Sequence, residues 1–504
     1  MDQVGLAARA RRHWLFGLVL VAALVLRILV ALAFRPIMWF GGDSASYLAT
    51  GLRLIPDPAR VGGYGFMLWI LRPLHSFALV AAVQHLMGLA MGVLIYLLAR
   101  RYGLPAWAAT LATVPVLFDA YELQLESDAL PDVPFAFLVV LALYLLLRSP
   151  GERRPARTTA AAFLLGVSAL LWPVGLVLLG VLLVVLLTAL LIRRAGLVTV
   201  LAALLAGALP VAAYGAWFSI HRHQFSLTRS DGVYLWSRTM SFADCAVIRP
   251  PAAERPLCPP PGPRIAASLY IWNANSPVLA MPTGRFSART NHLALHFALR
   301  AIAAQPADYA AAVAHDFSLS FYWDRPVHPD AAIVNRYQFA DATTAWVPPT
   351  LWTPGGGTLA GDQAVYNTGR PAPTRAVQPY ASWLVTYQRY VYLRGTLLGV
   401  ILLAGLAGMV IRRRVHGPGL PWAFAVTILL VPPLVADFDL RYLVPAVPVA
   451  CLAAALAFAP GAGPEMVQRR WTTSPAATAT SEPEDTRTSS LPSESTPATG
   501  PESA

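Results

Sequence analysis

Ten carboxylates lie within or beside the apolar segments of this chain: Asp43, Asp57, Asp119, Glu122, Glu126, Asp128, Asp132, Glu152, Asp437 and Asp439. Acids at membrane depth are costly and tend to mark functional positions. One cluster is Gly41-Gly42-Asp43-Ser44-Ala45-Ser46-Tyr47-Leu48. Its glycines permit a tight turn, and Asp43 and Ser44 suit the start of a helix carrying Tyr47. A carboxylate held there either takes a proton from an acceptor hydroxyl or only caps the helix. The second cluster runs from Asp119 to Asp132, with Glu122 and Glu126, and again Asp128 and Asp132, four residues apart. Each pair shares a helical face, and like charges so close raise at least one pKa. The run would bind a cation, line a polar substrate or face water. Carboxylate oxygens suit magnesium or manganese, so a divalent cation is an open cofactor reading, although no Asp-x-Asp ligand set is present.

The third cluster is Asp437-Phe438-Asp439-Leu440-Arg441-Tyr442, in which Arg441 is the only base. A guanidinium at the membrane boundary suits a lipid-linked phosphate; the alternatives are snorkelling or an ion pair with Asp437 or Asp439. Arg27 lies inside an apolar segment and needs a partner, either an outer carboxylate or a lipid phosphate. His85 follows Gln84 in another such segment and reads as a buried, hydrogen-bonded histidine. Gly62-Gly63-Tyr64-Gly65 forms a flexible stretch that shapes a sugar pocket or is an ordinary loop.

The elements that must position these residues are helices in a bilayer. The chain has 504 residues, 56% hydrophobic and only 13% charged, against about a quarter charged in soluble domains. A span needs about 20 apolar residues. Ten segments qualify or nearly qualify: about 14–34, 78–99, 104–120, 132–148, 159–172, 174–192, 197–220, 395–411, 419–436 and 442–459. The fifth and sixth meet at Trp172-Pro173 with no polar loop, which predicts two short helices broken there. The first ends in Ala31-Leu32-Ala33, a cleavage-like pattern, but its length and Arg27 favour an uncleaved anchor.

Arginine marks every second loop: Arg9, Arg11 and Arg12, then Arg100 and Arg101, Arg148 with Arg153, Arg154 and Arg157, Arg193 and Arg194, Arg412 to Arg414, and Arg469 and Arg470. The positive-inside rule puts those loops and both termini in the cytoplasm. Nine of the ten membrane-body acids then fall on the outer side, Glu152 being the exception. The net charge of +12 thus sets topology and does not indicate nucleic acid. The chain has no lysine, which excludes Schiff-base chemistry and a P-loop. The expected architecture is an all-α polytopic membrane protein of about ten transmembrane helices with a mixed or irregular extracytoplasmic insert. Its parts are an N-terminal membrane domain over 1–220, an outer loop domain over 221–394, C-terminal membrane helices over 395–460 and a disordered cytoplasmic tail over 461–504. The insert is rich in Trp, Tyr and Arg, which suits carbohydrate or anionic headgroups as well as plain membrane docking. Cys245 and Cys258 lie in it, in a compartment that permits a disulfide; Cys451 reads as a buried hydrophobe.

Several stretches together resemble the GT-C membrane glycosyltransferases, the superfamily of protein O-mannosyltransferases and aminoarabinose transferases, in an actinobacterial form. They are Gly42-Asp43-Ser44-Ala45-Ser46-Tyr47, Leu125-Glu126-Ser127-Asp128-Ala129-Leu130-Pro131-Asp132 and Arg441-Tyr442-Leu443-Val444-Pro445. The stretches Val83-Gln84-His85-Leu86-Met87-Gly88-Leu89 and Phe242-Ala243-Asp244-Cys245 add to the likeness. The chain departs from many relatives in having Ser44 after Asp43 and Trp172 before Pro173. The resemblance implies an inverting transfer of sugar from a polyprenyl-phosphate donor to a cell-envelope acceptor on the outer face. It implies Asp43 as catalytic base and Glu126, Asp128 and Asp132 as residues that position substrate or metal. Tyr47, Tyr64, His85, Arg441, Tyr442 and Arg27 complete the expected substrate-binding set, with the lipid phosphate near Arg441. The rival readings are a lipid-linked glycan flippase or ligase and a non-enzymatic envelope-binding protein.

Overall fold

The computed structural model describes residues 3–148, 155–342 and 347–460. The tail expected from 461 onward, Asp2, Glu152, Arg153, Arg154, Arg469 and Arg470 lie outside the described residues, as do the side chains of Arg9, Arg11 and Arg12. All ten apolar segments are helical. Strands among the described residues are two-residue pieces, Phe34–Arg35 paired with Arg375–Ala376 and Trp352–Thr353 paired with Gly357–Thr358.

The protein is a multi-pass membrane protein, but its helices are less uniform than ten equal spans. Five are long and apolar enough to cross a bilayer: His13–Ala33, Phe77–Arg101, Val174–Leu191, Leu197–Arg222 and Leu440–Phe458. A sixth is counted if the bent pair Tyr380–Tyr390 and Gly395–Ile411 forms one span. Asp132–Leu147 and Gly419–Val435 are shorter, as is Pro155–Ala169 with 15 residues. The third apolar segment is interrupted between Ala106–Leu111 and Val114–Phe118. There Thr113 bonds back to the Thr110 carbonyl, and Pro115, which has no N–H to give, opens the next turn. Trp172 and Pro173 likewise separate Pro155–Ala169 from Val174–Leu191.

Exposed apolar side chains run along the outer helices, among them Val25, Val184, Leu191, Val198 and Leu205. That is the surface a lipid-facing helix presents. By contrast Leu440–Phe458 is mostly enclosed, packed between Phe77–Arg101, Asp132–Leu147, Gly395–Ile411 and Gly419–Val435. Three of the basic loops, those after Arg101, Arg194 and Arg414, meet at one end of the bundle. Arg194 contacts His416 at 3.2 Å, and a Cβ on Gly417 would meet the Tyr102 ring at 3.1 Å.

The insert has its own core, in which Trp236, Phe297 and Met240 are buried. Cys245 and Cys258 are disulfide-bonded beside it, and Cys451 is free and buried. Asp437 ties the insert to the membrane helices, accepting from the Ser268 N–H at 2.8 Å and bonding His328 Nε2 at 2.7 Å. Tyr309 donates to the Leu434 carbonyl at 2.9 Å.

A buried triad ties the second acidic segment to the first two long apolar helices. Glu126 Oε1 accepts from Arg27 Nη2 at 2.6 Å, and Oε2 meets His85 Nδ1 at 2.7 Å. All three are nearly sealed from solvent. The partner that Arg27 requires is therefore a carboxylate. Only glycine fits at 88, because a Cβ there would lie 1.7 Å from Glu126 Oε1. Removing one member strands a buried charge, at a cost of about 3–5 kcal/mol. Glu126→Ala should therefore melt well below wild type in detergent, as should Gly88→Ala. Melting curves coinciding with wild type would show that the triad does not hold the helices.

Candidate active site

At the end of the bundle opposite the basic loops, the chain encloses a cavity of about 1600 Å³. Asp43 enters it from the first turn of the helix Gly41–Arg53. The turn before it needs Gly41, whose φ is +45°, a conformation that suits glycine. Ser44 fixes this turn to the second acidic segment: its Oγ accepts from the Phe40 N–H at 2.8 Å and donates to the Ala129 carbonyl at 3.0 Å. Met38 completes the lacing through backbone bonds with Ser127 and Ala129.

Two arginines hold Asp43. Arg60 reaches Oδ1 through Nε at 2.7 Å and Nη2 at 2.5 Å. Arg441 Nη1 donates to Oδ2 at 2.7 Å. Each is aimed by a neighbouring acid. Asp57 Oδ1 accepts from the backbone N–H groups of Ala59 and Arg60, and Asp439 caps the short helix Leu440–Leu443 that carries Arg441. The Arg441 side chain thus pairs with neither Asp437 nor Asp439; its second carboxylate is Asp132, 3.8 Å away.

Burial by itself would raise the Asp43 pKa, but Arg60 and Arg441 outweigh it and hold the carboxyl at about 2. Asp439 goes the other way, pushed by burial to about 6 despite Arg441. Among the aspartates lining the cavity, Asp43 is thus held ionised, whereas Asp439 is pushed above the ordinary carboxylate range.

Of the residues expected at a site, Asp43, Tyr47, Asp132, Arg441 and Tyr442 line this cavity. Tyr64, His85, Glu126, Asp128 and Arg27 do not. They form the support behind it. Tyr64 donates to Gln84 Oε1 at 2.7 Å, and Gln84 Nε2 donates to the carbonyls of Glu126 and Asp128 at 2.9 and 2.8 Å. Glu126 and Arg27 are consumed by the triad with His85, because an arginine buried at that depth must find a carboxylate. In this structure their side chains face one another and His85 and do not line the cavity.

Several cavity residues were not singled out by the sequence: Arg60, Tyr234, Trp272 and Arg285. Arg60 alone was findable in principle, as a base within an outer segment whose acids need counter-charges. At the other end the cavity is apolar. Leu171, Val174 and Val177 face Val431 and Val435 across it, and Tyr442 stacks on Trp172 with ring centroids 4.9 Å apart. An aliphatic cleft thus leads to a carboxylate carrying two guanidinia.

The carboxylates of Asp43 and Glu126 fit a cation poorly, since arginine or histidine engages both oxygens of each. Asp316, His328 and Asp437 bring ligand atoms within 4.8 Å of one another, but Arg238 is ion-paired with Asp316 and puts a positive charge into that group.

Residues 73–226 match the family model described as dolichyl-phosphate-mannose-protein mannosyltransferase. That stretch contains the second acidic segment and Trp172 but stops short of Asp43 and Arg441. No curated protein matches the sequence. Among solved structures, the chain is similar to ArnT from Cupriavidus metallidurans bound to undecaprenyl phosphate, at 15% identity over 88% of this chain and 77% of that one, with a TM-score of 0.35. It is also similar to the archaeal oligosaccharyltransferase AglB from Archaeoglobus fulgidus in complex with an inhibitory peptide and a dolichol-phosphate, at 14% identity over 89% of this chain, with a TM-score of 0.37. The chain spans about half the length of AglB.

With its pKa depressed, Asp43 keeps both ion pairs at neutral pH and loses them only as the pH falls through about 2. Arg60→Gln removes one of the two cations, so Asp43 should titrate at a higher pH. Infrared difference titration against Asp43→Asn reads this directly. A wild-type carboxyl titrating at the ordinary aspartate value, or one unmoved by Arg60→Gln, would contradict the arrangement.

Proposed function

We propose that the protein is an inverting glycosyltransferase. It moves a sugar from a polyprenyl-phosphate donor to a hydroxyl of a cell-envelope acceptor, a glycan, lipid or protein, on the outer face of the membrane. In this reading both termini are cytoplasmic. The membrane domain over 1–220 and the helices over 395–460 carry the insert 221–394 on the extracytoplasmic side. The observation that carries it is the placement of Asp43, between Arg60 and Arg441, at the head of an apolar cleft. The family match over 73–226 supports the same donor class.

The chemistry follows from the geometry. The polyprenyl chain lies along Val174, Val177, Val431 and Val435. Its phosphate meets Arg441, which Tyr442 joins to that cleft. Asp43 takes the proton of the acceptor hydroxyl as its oxygen bonds to the anomeric carbon. The bond from that carbon to the phosphate oxygen breaks, and its electron pair leaves with polyprenyl phosphate. One displacement inverts the anomeric centre. The leaving group needs charge stabilisation rather than protonation, and preorganised guanidinia supply it.

An aspartate held at about 2 is a weak base. The donor phosphate relieves this by competing for Arg441, so donor binding releases Asp43 to act and precedes acceptor binding.

General-base catalysis is worth about 10²–10⁴-fold. Asp43→Asn should therefore lower transfer at least about 100-fold while donor affinity is kept or increased, because the phosphate no longer competes with a carboxylate. Single-turnover transfer by wild type and variant in nanodiscs measures both quantities. Undiminished transfer in Asp43→Asn would remove Asp43 from the chemistry, whereas no transfer by wild type from any lipid-linked donor would favour a flippase that only handles the lipid phosphate.

A further inference from the structure

The cavity contains more cation than the donor requires. Of its five arginines, Arg60 and Arg441 hold Asp43, and Arg222 is bound to the Pro56 carbonyl. Arg285 and Arg336 make no ion pair with any described residue. Arg336 lies over the Phe40 ring, 6.0 Å from its centroid, on the Asp43 side.

Arg285 is the more telling of the two, because its surroundings oppose its charge. Partial burial disfavours its charged form, and so does the positive charge of Arg60, with which it shares the Trp272 ring. Its Nε is buried and makes no hydrogen bond. What holds it is aromatic. Its guanidinium lies 5.3 Å from the Trp272 ring centroid and 5.8 Å from that of Phe286. Trp272 in turn carries Arg60 at 4.9 Å. One indole thus aligns two guanidinia, of which one is neutralised by Asp43 and the other is left open to the cavity. An arginine kept beside a like charge without a carboxylate is poised for an anion that arrives from outside.

The position of Arg285 separates that anion from the donor phosphate. Arg441 borders the aliphatic cleft through Tyr442 and Trp172. Arg285, Trp272 and Phe286 all belong to the insert, beyond Asp43 and Arg60. In the proposed mechanism the lipid-linked phosphate is held by Arg441 at the membrane helices, which leaves Arg285, on the insert side of the cavity, to the acceptor.

We infer that Arg285, set on Trp272, is an acceptor subsite for an anionic group, so that the acceptor is an acidic carbohydrate bearing a carboxylate or a phosphate monoester near the hydroxyl that is glycosylated. The inference rests on the glycosyltransferase reading of the same cavity. The guanidinium fork pairs with either oxyanion in bidentate fashion, and the exposed part of Trp272 offers an apolar rim to the sugar ring.

The test uses the full-length protein in nanodiscs, preloaded with undecaprenyl phosphate. Three disaccharides of one linkage are titrated, ending in glucose, glucuronate or glucose 6-phosphate, with tryptophan fluorescence or calorimetry as the readout. Wild type should bind at least one acidic disaccharide about 10-fold or more tightly than the neutral one. Arg285→Gln should abolish that preference, Arg285→Lys should keep part of it, and both should leave undecaprenyl phosphate affinity unchanged. The two arms identify which oxyanion is read. Equal binding of all three sugars by wild type, or a preference that survives in Arg285→Gln, would overturn the subsite and leave Arg285 as packing on Trp272. Loss of undecaprenyl phosphate affinity in Arg285→Gln would overturn it differently, by returning the arginine to the donor. Failure of wild type itself to bind undecaprenyl phosphate would instead count against the glycosyltransferase reading.

Discussion

Asp43 shares its carboxylate between Arg60 and Arg441, and most of the architecture around the cavity serves that arrangement. Arg441 is 398 residues away in sequence, so the contact closes the molecule from its first helical turn beyond the anchor to its last enclosed helix. One carboxylate cannot neutralise two guanidinia. The residual positive charge, shared in part with Asp132, sits where the aliphatic cleft between Val174–Leu191 and Gly419–Val435 ends. An amphiphile with a long apolar tail and a single phosphate matches that sequence of environments, apolar first and cationic second. In the proposed mechanism the same pairing keeps Asp43 ionised until the donor phosphate draws off a guanidinium, which couples the base to donor binding.

Holding such a group near a membrane surface needs rigid support. The supply comes from behind the cavity wall. The Arg27–Glu126–His85 triad fixes the second acidic segment to two long helices. Gln84 and Tyr64 pin that segment's backbone carbonyls, and Ser44 then fastens the Asp43 turn to it. From the other side, Asp437 anchors the insert through Ser268 and His328, two residues before the cap of the Arg441 helix. Glu126 and Asp437, outside the cavity, thus have positional tasks, as do Asp57 and Asp439 in its wall.

The sequence made the membrane character legible because apolar length is a direct physical requirement of the bilayer. Asp43 and Arg441 were legible for a related reason: charge at membrane depth is expensive and has to be explained. The same argument names Arg27, Glu126 and His85, but it cannot say whether buried charges meet one another or a substrate. Their resolution into a closed triad depends on the packing of helices distant in sequence, with Gly88 leaving the room. The bounds of the helices at 132 and 419 were legible to within a residue, whereas the break near Thr113 was not, because it depends on local bonding that hydropathy does not record. Trp272 and Arg285 were not legible at all. They lie in a turn-rich insert with no periodicity, and only the folded chain brings them beside Arg60.

The identity of the donor decides what this cavity does. Purified protein in nanodiscs, incubated with a panel of polyprenyl-phosphate sugars and, separately, with nucleotide sugars, can be assayed for release of polyprenyl phosphate and for glycosylated product. The cavity predicts release from at least one lipid-linked donor, inversion at the anomeric carbon, and no turnover of nucleotide sugars. Transfer from a nucleotide sugar, or a product that retains the anomeric configuration, would contradict it.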